Sequence, residues 1–257
     1  MPFRSDINAL RALAVTLVVL FHFGVPGFDG GFVGVDIFFV ISGYLMTKIV
    51  MTGLERGTFS YLNFVIARVV RIWPALVVMV MALLALGALF LPPMDYEALG
   101  RQAQAALMFD ANRYYRSGPA GYFVSGPDER WLLHAWSLAV EWQFYLLYPV
   151  LLWASFKFHA LLTTRLRWVR ARRVSTARQW AFVSLLGVSV LSLIVCWHKT
   201  SGDPIGAFFS LAPRVWEMAA GGLVYLAEPF LAAWLSRWGT SWRWAGLVLL
   251  ALAMYGG

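Results

Sequence analysis

Charge and cysteine are the scarce ingredients of this 257-residue chain. Asp, Glu, Lys and Arg together make up 13% of it, against about 25% in an ordinary soluble domain. So few charges cannot keep a disordered chain open or solvate the surface of a water-soluble enzyme. Cys196 is the lone cysteine, which excludes an intrachain disulfide and any cysteine-built metal cluster. No serine-centred nucleophile elbow, HExxH zinc motif or GxxxxGK[ST] phosphate loop occurs, and there is no internal repeat or low-complexity linker. What fills the chain is apolar: 60% hydrophobic residues, 16% aromatics including 13 Trp, and a mean hydropathy of +0.67. A composition of this kind belongs to a protein whose solvent is mostly lipid.

The apolar residues fall into runs at about 7–23, 32–50, 74–91, 131–155, 180–197, 205–227 and 243–255. These predict an all-α, multi-pass transmembrane bundle of about seven spans, each close to the ~20 residues that cross a bilayer. The first run is kept as a span, because Arg11 interrupts it and no small-x-small cleavage site follows Phe23. The formal net charge of +8 is spread between the runs, so it sets topology and gives no reason to invoke nucleic acid. Lys48, Arg56, Arg68 and Arg71 cluster in one connection, and Lys157, Arg165, Arg167, Arg170, Arg172, Arg173 and Arg178 in another. Both connections are read as cytoplasmic, as is the N-terminus, with the second also suited to anionic lipid. The stretch 98–130 then becomes an external or re-entrant segment. The chain reads as one membrane domain, 1–257, whose last run stops without an anchoring charge, as if a C-terminal part were missing.

Ionisable side chains inside spans are costly and therefore point to function. Here they are Arg11, His22, Asp36, His134, Glu141, Arg214 and Glu217. Arg11 and His22 are 11 residues apart, close to three whole turns, which puts a cation and an imidazole on one helix face ~16 Å apart. His134 and Glu141 are seven apart, which predicts a second helix of the same polar design. In Gly30-Gly31-Phe32-Val33-Gly34-Val35-Asp36 the glycines allow a tight turn that brings Asp36 near the level of His22. A carboxylate beside an imidazole fixes its tautomer and raises its basicity, as a general base requires; the less favoured alternative is that Asp36 simply caps its helix. Arg68 and Arg71 precede Trp73-Pro74, read as the start of the third span, and with Arg11 they suit an anionic phosphate, although topology alone also explains basic residues there. Ser42 and Ser137 are explained by helix packing better than by nucleophilic chemistry. A transporter or proton-coupled channel would use similar residues, but the paired discontinuous helices that mark one are not found.

In its motifs the sequence resembles the acyltransferase 3 family of integral-membrane O-acyltransferases. The matching residues are Arg11 with His22, the stretch Gly30 to Leu45, Arg68-Val-Val-Arg71-Ile-Trp-Pro74, His134-Ala-Trp136-Ser137-Leu-Ala-Val-Glu141, and Arg214-Val-Trp216-Glu217. Asn8 stands where the family usually has glycine. The resemblance implies a fold of about ten spans, of which this chain would be a C-terminally truncated part, in a bacterial inner (cytoplasmic) membrane. It implies transfer of an acyl group, in the first instance acetyl, from cytoplasmic acyl-CoA to a hydroxyl of an extracytoplasmic glycan or similar acceptor, with no metal. His22, Asp36, Glu141 and His134 are then catalytic candidates. Arg11, Arg68 and Arg71 are candidates for holding the donor, and Trp136, Ser137, Arg214 and Glu217 for binding substrate. The alternative is a membrane transporter or acyl-carrier module without hydroxyl-transfer chemistry of its own.

Overall fold

The computed structural model describes residues 5–117, 130–165, 177–236 and 246. Among these the structure is all-helical, with no strand. The elements are α1 (Ser5–His22), a 3-10 turn (Asp29–Val33), α2 (Gly34–Glu55), α3 (Tyr61–Phe90), α4 (Pro93–Leu107), α5 (Ala111–Arg116), α6 (Ala135–Arg165), α7 (Ala177–Gly202), α8 (Pro204–Phe209) and α9 (Val215–Leu235). The helices at Ser5–His22, Asp29–Glu55, Tyr61–Phe90, Ala135–Leu161 and Ala177–Gly202 are long and apolar enough to cross a membrane. Their outward faces fit that solvent. Val70, Val78, Met81, Leu86, Leu89 and Phe90 of α3 are all exposed, an arrangement that water would penalise and hydrocarbon does not.

Two predicted boundaries shift. Pro74 does not start the third span: α3 begins at Tyr61, where the Ser60 side chain accepts a hydrogen bond from the Asn63 N–H at 3.4 Å. A proline inside a helix forfeits one backbone bond, which a long apolar helix tolerates, so Arg68 and Arg71 lie within α3 and not in a loop ahead of it. The run 205–227 is not one span. Asp203 caps α8 by accepting from the Gly206 N–H at 2.7 Å, Pro204 takes its first position, and Ser210 turns extended before Pro213 interrupts the backbone ladder ahead of α9. After α1, Gly30 and Gly31 lie in the 3-10 turn. Positive φ falls at Gly24 (61°) and Gly27 (84°), while Gly31 and Gly34 are close-approach positions. The run 243–255 lies outside the described residues apart from Gly246.

The chain divides into two compact units. The first comprises Met1–Ile49, Ser155–Ser189 and Glu217–Gly257. In it a Cβ on Gly31 or Gly34 would collide with the Leu17 or Ala14 carbonyl oxygen of α1, so the turn and the head of α2 lie directly on the α1 backbone. A Cβ on Gly43 would strike the Met218 carbonyl oxygen and one on Gly221 the Val40 carbonyl oxygen, so α2 and α9 likewise meet backbone to backbone. The second unit comprises Val50–Ala154 and Val190–Trp216. There the Tyr61 hydroxyl donates to the Leu146 carbonyl at 3.0 Å, tying the start of α3 to α6, and α4 packs back on α3 where Leu99 meets Gly87.

Two glycine-to-alanine substitutions of opposite sign test this packing. Gly43→Ala forces a methyl into the Met218 backbone and is expected to destabilise by about 1–3 kcal/mol or more. Gly100→Ala on α4 meets nothing within 4 Å and is expected to stabilise by roughly 0.5–1 kcal/mol. Thermal unfolding of the purified protein in one detergent reads both, and an equal response to the two changes would refute the close crossing.

Candidate active site

In the first unit the α1 residues Ile7, Ala14 and Leu17 are buried, and Arg11 and His22 lie beside that stripe, Arg11 half-buried and His22 exposed. The His22 ring folds back down its helix, and its Nδ1 lies 2.7 Å from the Val18 carbonyl. A carbonyl can only accept, so Nδ1 carries the hydrogen and the lone pair of the neutral ring sits on Nε2. Phe21 meets the imidazole edge-on, with centroids 5.1 Å apart, and packs in turn on Phe32 at 5.7 Å. Val18 is also the residue whose side chain lies against Gly34. Gly31 packs at Leu17 and Phe21 and Gly34 one turn lower at Ala14 and Val18, so α2 descends along α1 from the turn, with half-buried Asp36 two residues beyond Gly34. Glu217 is buried in the first turn of α9, where the helix dipole favours an acid.

The second unit gathers most of the other predicted residues. Arg68 and Arg71 occupy successive turns of α3, Arg68 half-buried and Arg71 exposed. The Arg68 guanidinium lies 5.8 Å from the centre of the Phe64 ring, and its Nε is buried without a hydrogen-bond partner among the described residues. Tyr145 and Glu141 of α6 are within electrostatic reach of it, and the Tyr145 hydroxyl donates to Glu141 Oε1. Glu141 is thus held in a cluster with a tyrosine and an arginine. His134 is the residue immediately ahead of α6, which starts at Ala135 and carries Glu141. His134 is exposed in the turn ahead of the helix, and its carbonyl accepts the Ser137 hydroxyl at 3.1 Å, which ties Ser137 to the helix start. Trp136 is fully buried, 4.5 Å from Phe208 and edge-on to Phe209 at 5.5 Å. Arg214 closes over this cluster, 4.8 Å from the Phe208 ring and 5.4 Å from the Trp136 ring, while its Nε donates to the Phe208 carbonyl at 3.1 Å. Arg214 therefore braces the segment between α8 and α9 as a cation stacked on aromatic faces.

A buried polar network in the same unit went unrecognised in the sequence. Asn112 donates to the Phe209 carbonyl and accepts from the Gln143 amide, both at 3.0 Å. Gln102 Oε1 accepts from the Tyr115 hydroxyl at 3.0 Å and from the Leu132 N–H at 3.2 Å. Ser192 donates to the Ala212 carbonyl at 2.6 Å and accepts from the Trp216 N–H at 3.0 Å. Amides at unremarkable spacings carry no motif, and Gln102 and Asn112 each stand next to an arginine. Phe109 adds strain at the end of α4, with a left-handed φ of 53°, and its ring stacks on Trp142 at 4.5 Å. Among the described residues no group of His, Cys, Asp and Glu could hold a metal ion.

A multi-pass helical membrane protein with this residue order has known counterparts. The model of the family described as an acyltransferase domain matches residues 4–257, and the chain belongs to that family. It is 35% identical over 224 residues to a putative membrane-bound transacylase, BcsY, of Komagataeibacter xylinus, covering 87% of this chain and 51% of the other. It is 31% identical over 228 residues to the peptidoglycan O-acetyltransferase OatA of Listeria monocytogenes, covering 88% and 34%. With the O-acetyltransferase OatA of Staphylococcus aureus it shares 31% identity over 226 residues, covering 87% and 35%. The chain spans about half or less of the length of these relatives. No solved structure matches it.

Burial pushes the Tyr115 phenol well above its usual value, an effect that neighbouring Tyr114 reinforces and Arg130 opposes. The folded chain then holds this proton more tightly than the unfolded chain. Its contribution to stability is complete at neutral pH and is lost as pH rises past about 10. Tyr115→Phe is expected to cost roughly 0.5–1.5 kcal/mol at neutral pH through the lost bond to Gln102. Its unfolding midpoint should also fall less steeply than that of the unsubstituted chain between pH 8 and pH 11, and parallel curves would remove Tyr115 from the network.

Proposed function

We infer that the protein is a membrane-embedded O-acyltransferase that moves an acyl group, acetyl in the first instance, from acyl-CoA to a hydroxyl of a glycan on the opposite side of the bacterial inner membrane. The observation that carries this reading is the Nδ1 contact of His22 to the Val18 carbonyl, which puts the ring hydrogen on Nδ1 and the lone pair of the neutral tautomer on Nε2. In the proposed step Nε2 removes the acceptor's hydroxyl proton as that oxygen attacks the thioester carbonyl. The carbon–sulfur bond breaks, CoA leaves as a thiolate, and the imidazolium returns the proton to it. Asp36, in the first turn of α2, is assigned to orient the ring and stabilise the imidazolium. Thiolate is a good enough leaving group for the step to proceed without a metal.

Arg11 is assigned to the donor's phosphates, being about three turns, or ~16 Å, from His22 on the same helix. Arg68 and Arg71 join it in that role, with Glu141 and Tyr145 positioning Arg68. This assigns Glu141 to the arginine and leaves the orientation of His22 to Asp36. No step requires His134, and Trp136, buried beneath Arg214, is assigned with it to holding the segment between α8 and α9. The direction follows from charge: a cytoplasmic N-terminus puts Arg56 and the Lys157-to-Arg178 stretch inside. The acceptor class is supported by the relatives, one of which is named a peptidoglycan O-acetyltransferase.

The test uses the full chain in liposomes, with radiolabelled acetyl-CoA on the N-terminal side and glycan opposite. Label is expected on the glycan, with a loss of about 10²-fold or more for His22→Ala, the contribution usual for a general base. Correctly inserted His22→Ala that retains near-normal transfer would overturn the role of His22. Donor binding through Arg11, Arg68 and Arg71 without His22-dependent transfer would make the protein an acyl carrier or transporter.

A further inference from the structure

Between α4 and α5, in the second unit, lies an open groove of about 750 Å³. Its walls include Arg101 and Gln104 from α4 and Asp110, Arg113, Tyr114 and Arg116 from α5 and the residue before it. The two helices differ from the apolar spans: they carry Asp95, Glu97, Arg101, Asp110, Arg113 and Arg116 within a short stretch, so they belong in water or headgroups and not in hydrocarbon.

The electrostatics of the groove select its ligand. Each guanidinium has a carboxylate at hand: Arg101 pairs with Glu97, Arg113 with Asp110 at 3.5 Å and Arg116 with Asp203 at 3.6 Å, while Lys199 shares Asp203 at 4.0 Å. Counting the partners of these pairs, four cations stand against three acids, so all but about one of the positive charges around the groove are already matched and a polyanion gains little by entering. Paired guanidinium and carboxylate groups, together with the Gln104 amide, instead set donors and acceptors side by side, the pattern that vicinal hydroxyls satisfy. Half-buried Tyr114 adds a ring face with an apolar body.

The groove is also rigid beneath its surface. Tyr114 rests edge-on against Tyr115 at 5.1 Å, and Tyr115 is buried and hydrogen-bonded to Gln102. Asn112 anchors α5 to the Phe209 carbonyl. A site whose walls are fixed by buried hydrogen bonds loses little entropy on binding. Its volume lies within the roughly 300–1,000 Å³ of ligand pockets, room for a stretch of oligosaccharide.

We propose that the α4–α5 groove is a binding subsite for an uncharged glycan chain, with Tyr114 stacking on a sugar ring and Arg113 and Asp110 bonding its hydroxyls. It rests on the acyl-transfer reading, for which it supplies the place where the acceptor polymer is held.

The experiment measures calorimetric binding of chitohexaose, cellohexaose, inorganic polyphosphate and coenzyme A to the full chain in lipid nanodiscs, with acetyl transfer to chitohexaose followed in parallel. At least one neutral hexasaccharide is expected to bind. Tyr114→Ala and Arg113→Ala are each expected to weaken that binding by about tenfold or more, with Tyr114→Phe within about twofold of the unsubstituted chain and coenzyme A binding unchanged. Arg113 is three-quarters exposed, so its replacement leaves the fold intact. The proposal is overturned if neither hexasaccharide binds, if both alanine variants bind as the unsubstituted chain does, or if polyphosphate binds more tightly than glycan and is displaced by the same substitutions. Glycan binding that depends on Tyr114, in a chain that transfers no acetyl group, keeps the groove and rejects the acyl-transfer reading. Transfer whose KM for chitohexaose is indifferent to Tyr114→Ala rejects the groove and keeps the reading.

Discussion

Backbone approaching backbone is the constraint on which the first unit depends. In lipid there is no hydrophobic force between helices, because the surrounding tails are as apolar as leucine, so association comes from close packing. Gly31 and Gly34 on the α1 backbone, and Gly43 and Gly221 where α2 meets α9, supply the contacts that a side chain would hold apart. The candidate chemistry follows from this packing. Gly34 can lie against Ala14 and Val18, which sets the head of α2, with Asp36 in its first turn, directly on α1, while the His22 Nδ1 folds back to the Val18 carbonyl. A methyl at residue 34 would change the height of a carboxylate it never touches.

The second unit is held by a different means. Polar groups buried among apolar neighbours must find partners, and here they do so in pairs: Asn112 with Phe209 and Gln143, Gln102 with Tyr115 and Leu132, Ser192 with Ala212 and Trp216. Several of these bonds end on backbone atoms of irregular segments, namely the residues just before α6 and those between α8 and α9. Helix ends and connections carry the unpaired backbone groups, so that is where side-chain amides and hydroxyls are needed. Arg214 does the same for the Phe208 carbonyl while it covers Trp136. A residue flagged by its charge is in this structure a brace for the loop that positions its neighbours.

The helical class and the long apolar elements were legible in the sequence because a run of apolar residues long enough to span a bilayer has few other uses. Boundaries were harder, and the reasons are local. Pro74 reads as a helix start, yet the stronger signal was the capping serine at position 60. The run 205–227 looks continuous in hydropathy, but hydropathy is blind to the backbone consequences of Pro204 and Pro213. The Arg11 to His22 spacing lies within one helix from end to end, so its geometry can be taken from the helical repeat. The His134 to Glu141 spacing begins one residue ahead of its helix, so the helical repeat covers it only from Ala135 on. Asn112, Gln102 and Gln143 were not legible at all, since nothing in a sequence distinguishes a buried amide from an exposed one.

That difference between the two spacings bears on the proposed chemistry. A cation and an imidazole on one unbroken helix stand at a fixed separation, about 16 Å along the axis, which no hinge can shorten. On the acyl-transfer reading, a donor anchored by its anionic end at Arg11 must present its reacting carbonyl that far away at His22. A small acyl phosphate, whose anion adjoins its carbonyl, cannot occupy both places at once. A donor with a long uncharged arm between its phosphates and its thioester can. The straightness of α1 then acts as a ruler that favours the long donor through geometry alone.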